Sequence, residues 1–157
     1  MTYDNRAFAE RLSQFNSGYC AEVPSRELAR LFVENLIHAL FPIRQNCAVD
    51  ECEIAIELER SEVKLVELLY SIRKSLDQKP REVAEQFFLR VPEAFEDLAA
   101  DAEAVTRFDP AASCVEEIIL CYPGFYAIAV YRTAHILYEL KVPVLPRIMA
   151  EYAHEKT

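Results

Sequence analysis

Glycine is almost missing from this chain: two residues in 157, against eight prolines. So few glycines exclude a fold rich in tight hairpins, phosphate-cradling loops or repeated β-coils, all of which need backbone at positive φ. Helices joined by proline-marked turns need almost none. Positive charge is also short, with 17 Lys and Arg against 26 Asp and Glu. A net charge of −9 argues against nucleic acid or an anionic membrane as the main partner, because either selects a basic face. No apolar run approaches the roughly 20 residues of a membrane span. The start, Met-Thr-Tyr-Asp-Asn-Arg, lacks the charged-then-apolar pattern of a secretory signal. Five cysteines, an odd number, fit a reducing cytoplasm better than a disulfide framework. The length suits one domain, residues 1–157, with enough chain to bury a core.

What is present is helical periodicity. Over residues 3–16, Phe8, Leu12 and Phe15 fall at helical spacing, and Gly18 is a plausible stop. Pro24-Ser25 introduces a stripe of Leu28, Leu31, Phe32, Leu36, Ile37 and Leu40, ended by Phe41-Pro42. Asp50 and Glu53 resemble a capping box at the head of a run to about residue 76, with Ile54, Leu58, Leu65, Leu69, Ile72 and Leu76 on one side. That helix is long enough to take a partner helix from another subunit or to serve inside a bundle. Pro80 suits the first position of the next helix, and Pro92 is expected to break it and start another. Asp109-Pro110 then reads as the start of a helix carrying Cys114 and Cys121. The fold class is therefore all-α, a bundle of about seven to eight helices.

Three constellations stand out in the last third. Asp109 before Pro110 is first a helix N-cap, yet one carboxylate oxygen can cap while the other accepts from a ligand ammonium. Tyr122-Pro123-Gly124-Phe125 is a turn into a helix, where Gly124 permits close approach of another helix or a ligand. Tyr131, Arg132 and His135 lie within one turn of helix. A partly covered Arg132 needs an acceptor, and with His135 it suits a structural clamp on the turn or on Asp109. His135 as a catalytic base has no visible orienting acid. Cys47, Cys52, Cys114 and Cys121 match no zinc spacing, His38 and His154 are not placed to complete one, and the cysteines read as small buried hydrophobes. The acidic run from Glu93 to Glu103 reads as a solvated face.

Together, Asp109-Pro110-Ala111, Tyr122-x-Gly124-Phe125-x-Ala127, Tyr131-Arg132-x-x-His135, Pro146-Arg147 and Glu151-Tyr152-Ala153-His154 resemble the end of the N-terminal helical domain of serine O-acetyltransferases. Pro24-Ser25-Arg26 through Leu40-Phe41-Pro42 resembles a longer N-terminal region of one bacterial branch more weakly. The resemblance implies an enzyme of cysteine biosynthesis that transfers acetyl from acetyl-CoA to L-serine. It also implies a hexapeptide-repeat left-handed β-helix beyond this stretch, holding the catalytic histidine and the acetyl-CoA groove. By this resemblance the chain stops before that domain, binds no cofactor itself and is inactive alone. Asp109 would be its one substrate contact, with Arg132, His135 and Gly124 in positioning roles. A homo-oligomer is implied, and a cysteine-synthase partner only through an absent C-terminal tail. Two other readings stay open: a non-enzymatic oligomerisation or interaction module, and a metal-binding bundle.

Overall fold

The computed structural model describes residues 5–18, 22–43 and 50–156, and every regular element among them is helical. The elements are α1 (Asn5–Ser17), α2 (Arg26–Leu40), α3 (Glu51–Ser71), a 3-10 turn (Arg73–Ser75), α4 (Pro80–Phe108), α5 (Val115–Cys121), α6 (Pro123–Glu139) and α7 (Leu145–Lys156). The all-α bundle expected from periodicity is the fold observed. No described helix is long and apolar enough to cross a membrane.

Local chemistry explains most of the boundaries. Ser25 caps α2, its hydroxyl accepting the Leu28 N–H at 3.3 Å, and Glu27 sits in the favourable first turn. Phe41 closes α2, donating its N–H to Ile37 O at 2.9 Å. Asp50 stands at the N-cap of α3, but its side chain makes no capping hydrogen bond, so the expected capping box does not form. The helix ends at Ser71 and passes into the 3-10 turn, short of residue 76. Helix α6 ends in a Schellman arrangement: Lys141 N–H donates to Tyr138 O at 2.9 Å and Val142 N–H to Leu137 O at 3.0 Å. Lys141 holds the left-handed position there with φ 58°, where glycine is the usual residue.

Pro92 does not break the chain into two helices. It lies inside α4, which runs unbroken for 29 residues. The ring faces solvent, while Phe87, Val91, Ala94 and Leu98 on the opposite side are buried. An interior proline costs about 3 kcal/mol. Burying one large apolar side chain returns about 1.5–3 kcal/mol, so several together outweigh it.

The core has two parts. The larger joins α2, α3, the first half of α4, the second half of α6 and α7 around Phe32, Leu36, Leu65, Leu69, Phe87, Leu137, Leu145 and Met149. The smaller gathers Leu98, Ala102, Ile118, Phe125 and Ala129 from α4, α5 and α6. Phe41 packs on it, meeting Phe125 edge-on and Phe95 at a tilt, both with ring centroids 5.4 Å apart. Helix α1 buries none of its residues, and Phe8, Leu12 and Phe15 stay exposed.

Candidate functional site

Asp109 is not the N-cap of the helix after it. That helix, α5, begins at Val115 with Cys114 at its cap, and Asp109 instead closes α4, donating its N–H to Val105 O at 2.8 Å. Two short links explain the shift. Ala112 N–H reaches Asp109 O at 3.1 Å, making a turn of residues 109–112, and Ser113 N–H is taken by the Glu117 carboxylate at 2.8 Å. The chain thus spends six residues, 109–114, in a tied loop before α5 can start. Within it the half-buried Asp109 carboxylate is held at both oxygens. Oδ1 accepts Ala111 N–H at 2.9 Å, and Oδ2 accepts the Tyr122 hydroxyl at 3.0 Å. The Asp109 carboxylate raises the Tyr122 phenol above its ordinary range, first through this hydrogen bond and also through its charge, with burial adding to the effect.

Tyr122 joins α5 to α6. Its N–H donates to Ile118 O at 3.2 Å, and its carbonyl accepts Phe125 N–H at 3.1 Å and Tyr126 N–H at 3.3 Å. Pro123 takes the first position of α6 as expected. Gly124 does not serve a tight helix crossing. A Cβ built there meets nothing within 4 Å, its φ is not positive, and the residue is exposed.

Arg132 forms a clamp, but not on Asp109. Its Nε and Nη2 donate to Asp101 Oδ2 at 3.0 and 2.7 Å, and Nη1 donates to Asp97 Oδ2 at 2.7 Å. The two aspartates lie one turn apart on α4, so the planar guanidinium fastens α6 to α4. They belong to the acidic run expected to be a solvated face. Their spacing of four, opposite a half-covered arginine, was the available signal.

His135 has an acidic neighbour one helical turn on, Glu139, whose spacing of four was the available signal. Its Nε2 lies 3.4 Å from Glu139 Oε1, and its ring stacks between Tyr131 and Tyr138, with centroids 5.6 and 5.9 Å away. Glu139 also accepts from Arg90, and that bond holds its carboxyl below the usual range. These residues border a shallow, open pocket of about 220 Å³ with Glu93, Asp97 and Arg132. Its arginines already face carboxylates, so neither offers an uncommitted positive charge for a ligand. Arg132 and His135 therefore share one surface, and Asp109 and Tyr122 form another. No described group of three His, Cys, Asp or Glu is placed to hold a metal. Cys52, Cys114 and Cys121 are free and exposed rather than buried, because Cys52 faces outward and the other two sit at the ends of α5. Cys47 lies outside the described residues.

No family model matches the chain. A plasmid serine acetyltransferase of Synechococcus elongatus is 43% identical over 82 residues, covering 52% of this chain and 26% of the relative. A second serine acetyltransferase of that organism is 46% identical over 56 residues, covering 36% and 23%. The serine acetyltransferase of Mycobacterium tuberculosis is 38% identical over 55 residues, covering 35% and 24%. Among solved structures, serine acetyltransferase 1 of Entamoeba histolytica in complex with L-cysteine superposes with a TM-score of 0.67 at 29% identity. The native form gives 0.69 at 28% identity. Each superposition covers 85% of this chain and 48% of that structure. The chain thus spans about a quarter of the length of these curated relatives. In sequence and in fold it is similar to serine acetyltransferases, consistent with the N-terminal helical domain of that family.

Proposed function

We propose that this chain is the helical domain of a serine O-acetyltransferase, supplying one substrate contact and subunit contacts. The observation that carries the proposal is the Asp109 carboxylate, half-buried and fixed at both oxygens on a chain similar to these enzymes. A carboxylate offers about four acceptor positions, and two are filled here. The others suit the ammonium of L-serine, a charge-assisted contact that orients the substrate hydroxyl. In the reaction a base removes the hydroxyl proton as the serine oxygen bonds to the acetyl carbonyl carbon. The C–S bond of acetyl-CoA then breaks, and the leaving thiolate takes that proton back from the base to give CoA. The base and the acetyl-CoA groove lie outside residues 1–157 in this reading, so this stretch alone is inactive. The odd number of cysteines suits a cytoplasmic setting.

Asp109→Ala in the complete transferase tests the proposal. The expected result is a raised KM for serine, with KM for acetyl-CoA little changed. Unchanged serine kinetics would sink it, as would serine-dependent CoA release by purified 1–157. A second reading, a non-enzymatic oligomerisation module, is favoured by Ile56, Val63 and Tyr70. They form an exposed stripe seven residues apart on α3 and provide a surface for homo-oligomer contacts under either reading.

A further inference from the structure

We infer that Tyr122 is a positioning residue for the Asp109 carboxylate, its hydroxyl setting the orientation of that group and so the affinity for the amino acid's ammonium group. The inference rests on the reading of Asp109 as the serine contact. Three observations carry it. First, the hydroxyl lies 3.0 Å from Asp109 Oδ2 and is the only side-chain donor among the described residues found on that carboxylate. Rotation about the last bond of an aspartate is broad, so one backbone N–H on Oδ1 leaves the plane of the carboxylate loosely set. A second donor on Oδ2 fixes that plane.

Second, the hydroxyl is itself well anchored. The Tyr122 backbone is bound on both sides, to Ile118 before it and to Phe125 and Tyr126 after it, and its ring packs on the smaller core. The α5–α6 junction is thus a rigid arm that carries a donor back across the loop to the end of α4. Third, the other carboxylate whose charge reaches Tyr122, Glu117, is engaged elsewhere: it accepts from Ser113 N–H, and as an acceptor it cannot replace the hydroxyl on Asp109. Because the phenol donates its one hydrogen to Asp109, its own lone pairs stay available. An ammonium seated against Asp109 can then touch both oxygens, and a carboxylate alone would hold it less specifically.

The test is a cycle in the complete transferase: Tyr122→Phe, Asp109→Ala and the double variant, with kcat, both KM values and Tm measured for each. Tyr122→Phe keeps the ring and its packing, so Tm should stay close to that of the parent. The KM for serine should rise about 10- to 150-fold, the range for losing one hydrogen bond to a charged group. The KM for acetyl-CoA should move less than about twofold, since uniform loss would mark a folding effect. In the Asp109→Ala background Tyr122→Phe should add nothing further. Parent-like serine kinetics in Tyr122→Phe, beside an impaired Asp109→Ala, would overturn the inference and leave the Asp109 reading standing. A full Tyr122 effect in the Asp109→Ala background would also overturn it. Parent-like kinetics in Asp109→Ala would remove the underlying reading itself.

Discussion

Replacing Arg132 with methionine keeps most of the aliphatic stem and removes the guanidinium that ties α6 to α4. The cost follows from exposure. Asp101 is 34% exposed and accepts two N–H groups, whereas Asp97 is 56% exposed and accepts one. A half-covered, doubly donated carboxylate is worth about 1.5 kcal/mol, the low end for charged hydrogen bonds. The more exposed Asp97 adds about 0.5 kcal/mol, the scale of a surface pair. Arg132→Met should therefore lose about 2 kcal/mol, or roughly 4–8 °C in Tm for a domain of this size. Urea unfolding is the assay, and the slope should not change. Asp101→Asn should lose about 1 kcal/mol, and the double variant should cost clearly less than the sum of the two singles. Additive losses would refute the clamp, because independent sites have no shared bond to lose. High salt should erase the Asp97 share before the Asp101 share, and the opposite order would count equally against this account.

Two further outcomes follow from single positions. Lys141→Gly should stabilise the protein by about 1 kcal/mol, seen as a higher urea midpoint, because a non-glycine residue at positive φ carries a strain that glycine lacks. A lower midpoint would mean that the Lys141 side chain outweighs its backbone strain. Glu34 governs an acid limb. Partial burial tends to raise its pKa, but hydrogen bonds from Tyr152 and Lys156 and the charges of Lys156 and Arg30 bring it below its ordinary 4.5. A depressed carboxylate stabilises the fold above its unfolded pKa and loses that contribution as pH falls through the folded one. The stability gap between parent and Glu34→Gln should thus be full at neutral pH and close below about pH 4.5. A gap that widens in acid would contradict the sign.

Helix identity was legible where apolar spacing and caps agreed, as in α2, whose Ser25 cap and buried Phe32 and Leu36 follow from residues alone. Pro92 misled because a proline carries a local penalty, while the burial that offsets it is contributed by residues distant in sequence. Asp109-Pro110 misled for the converse reason. The pair has cap chemistry, but the bonds at Ala112 and Ser113 delay the next helix until Val115. The candidate site was half visible. Asp109 stood out from the residues around it, but its bond to Tyr122 did not, since a turn tyrosine thirteen positions away gives no sign of where its hydroxyl points. Arg132 announced its need for an acceptor without naming Asp97 and Asp101, which only the α4–α6 crossing supplies.

Helix α4 belongs to both cores, and Pro92 stands at the passage from one to the other. A helix that lacks one rung of its hydrogen-bond ladder opens there with less resistance than elsewhere. Among the described residues the smaller core, which carries Asp109 and Tyr122, has five buried side chains, far fewer than the larger one. The two ends of the molecule should therefore exchange their amide hydrogens as separate cooperative units, with protection lower in α5 and in α4 after Pro92 than in α2 or the second half of α6. The half of the fold that orients the carboxylate is the half with the smaller reserve, so mild destabilisation will reach the site before it reaches the fold.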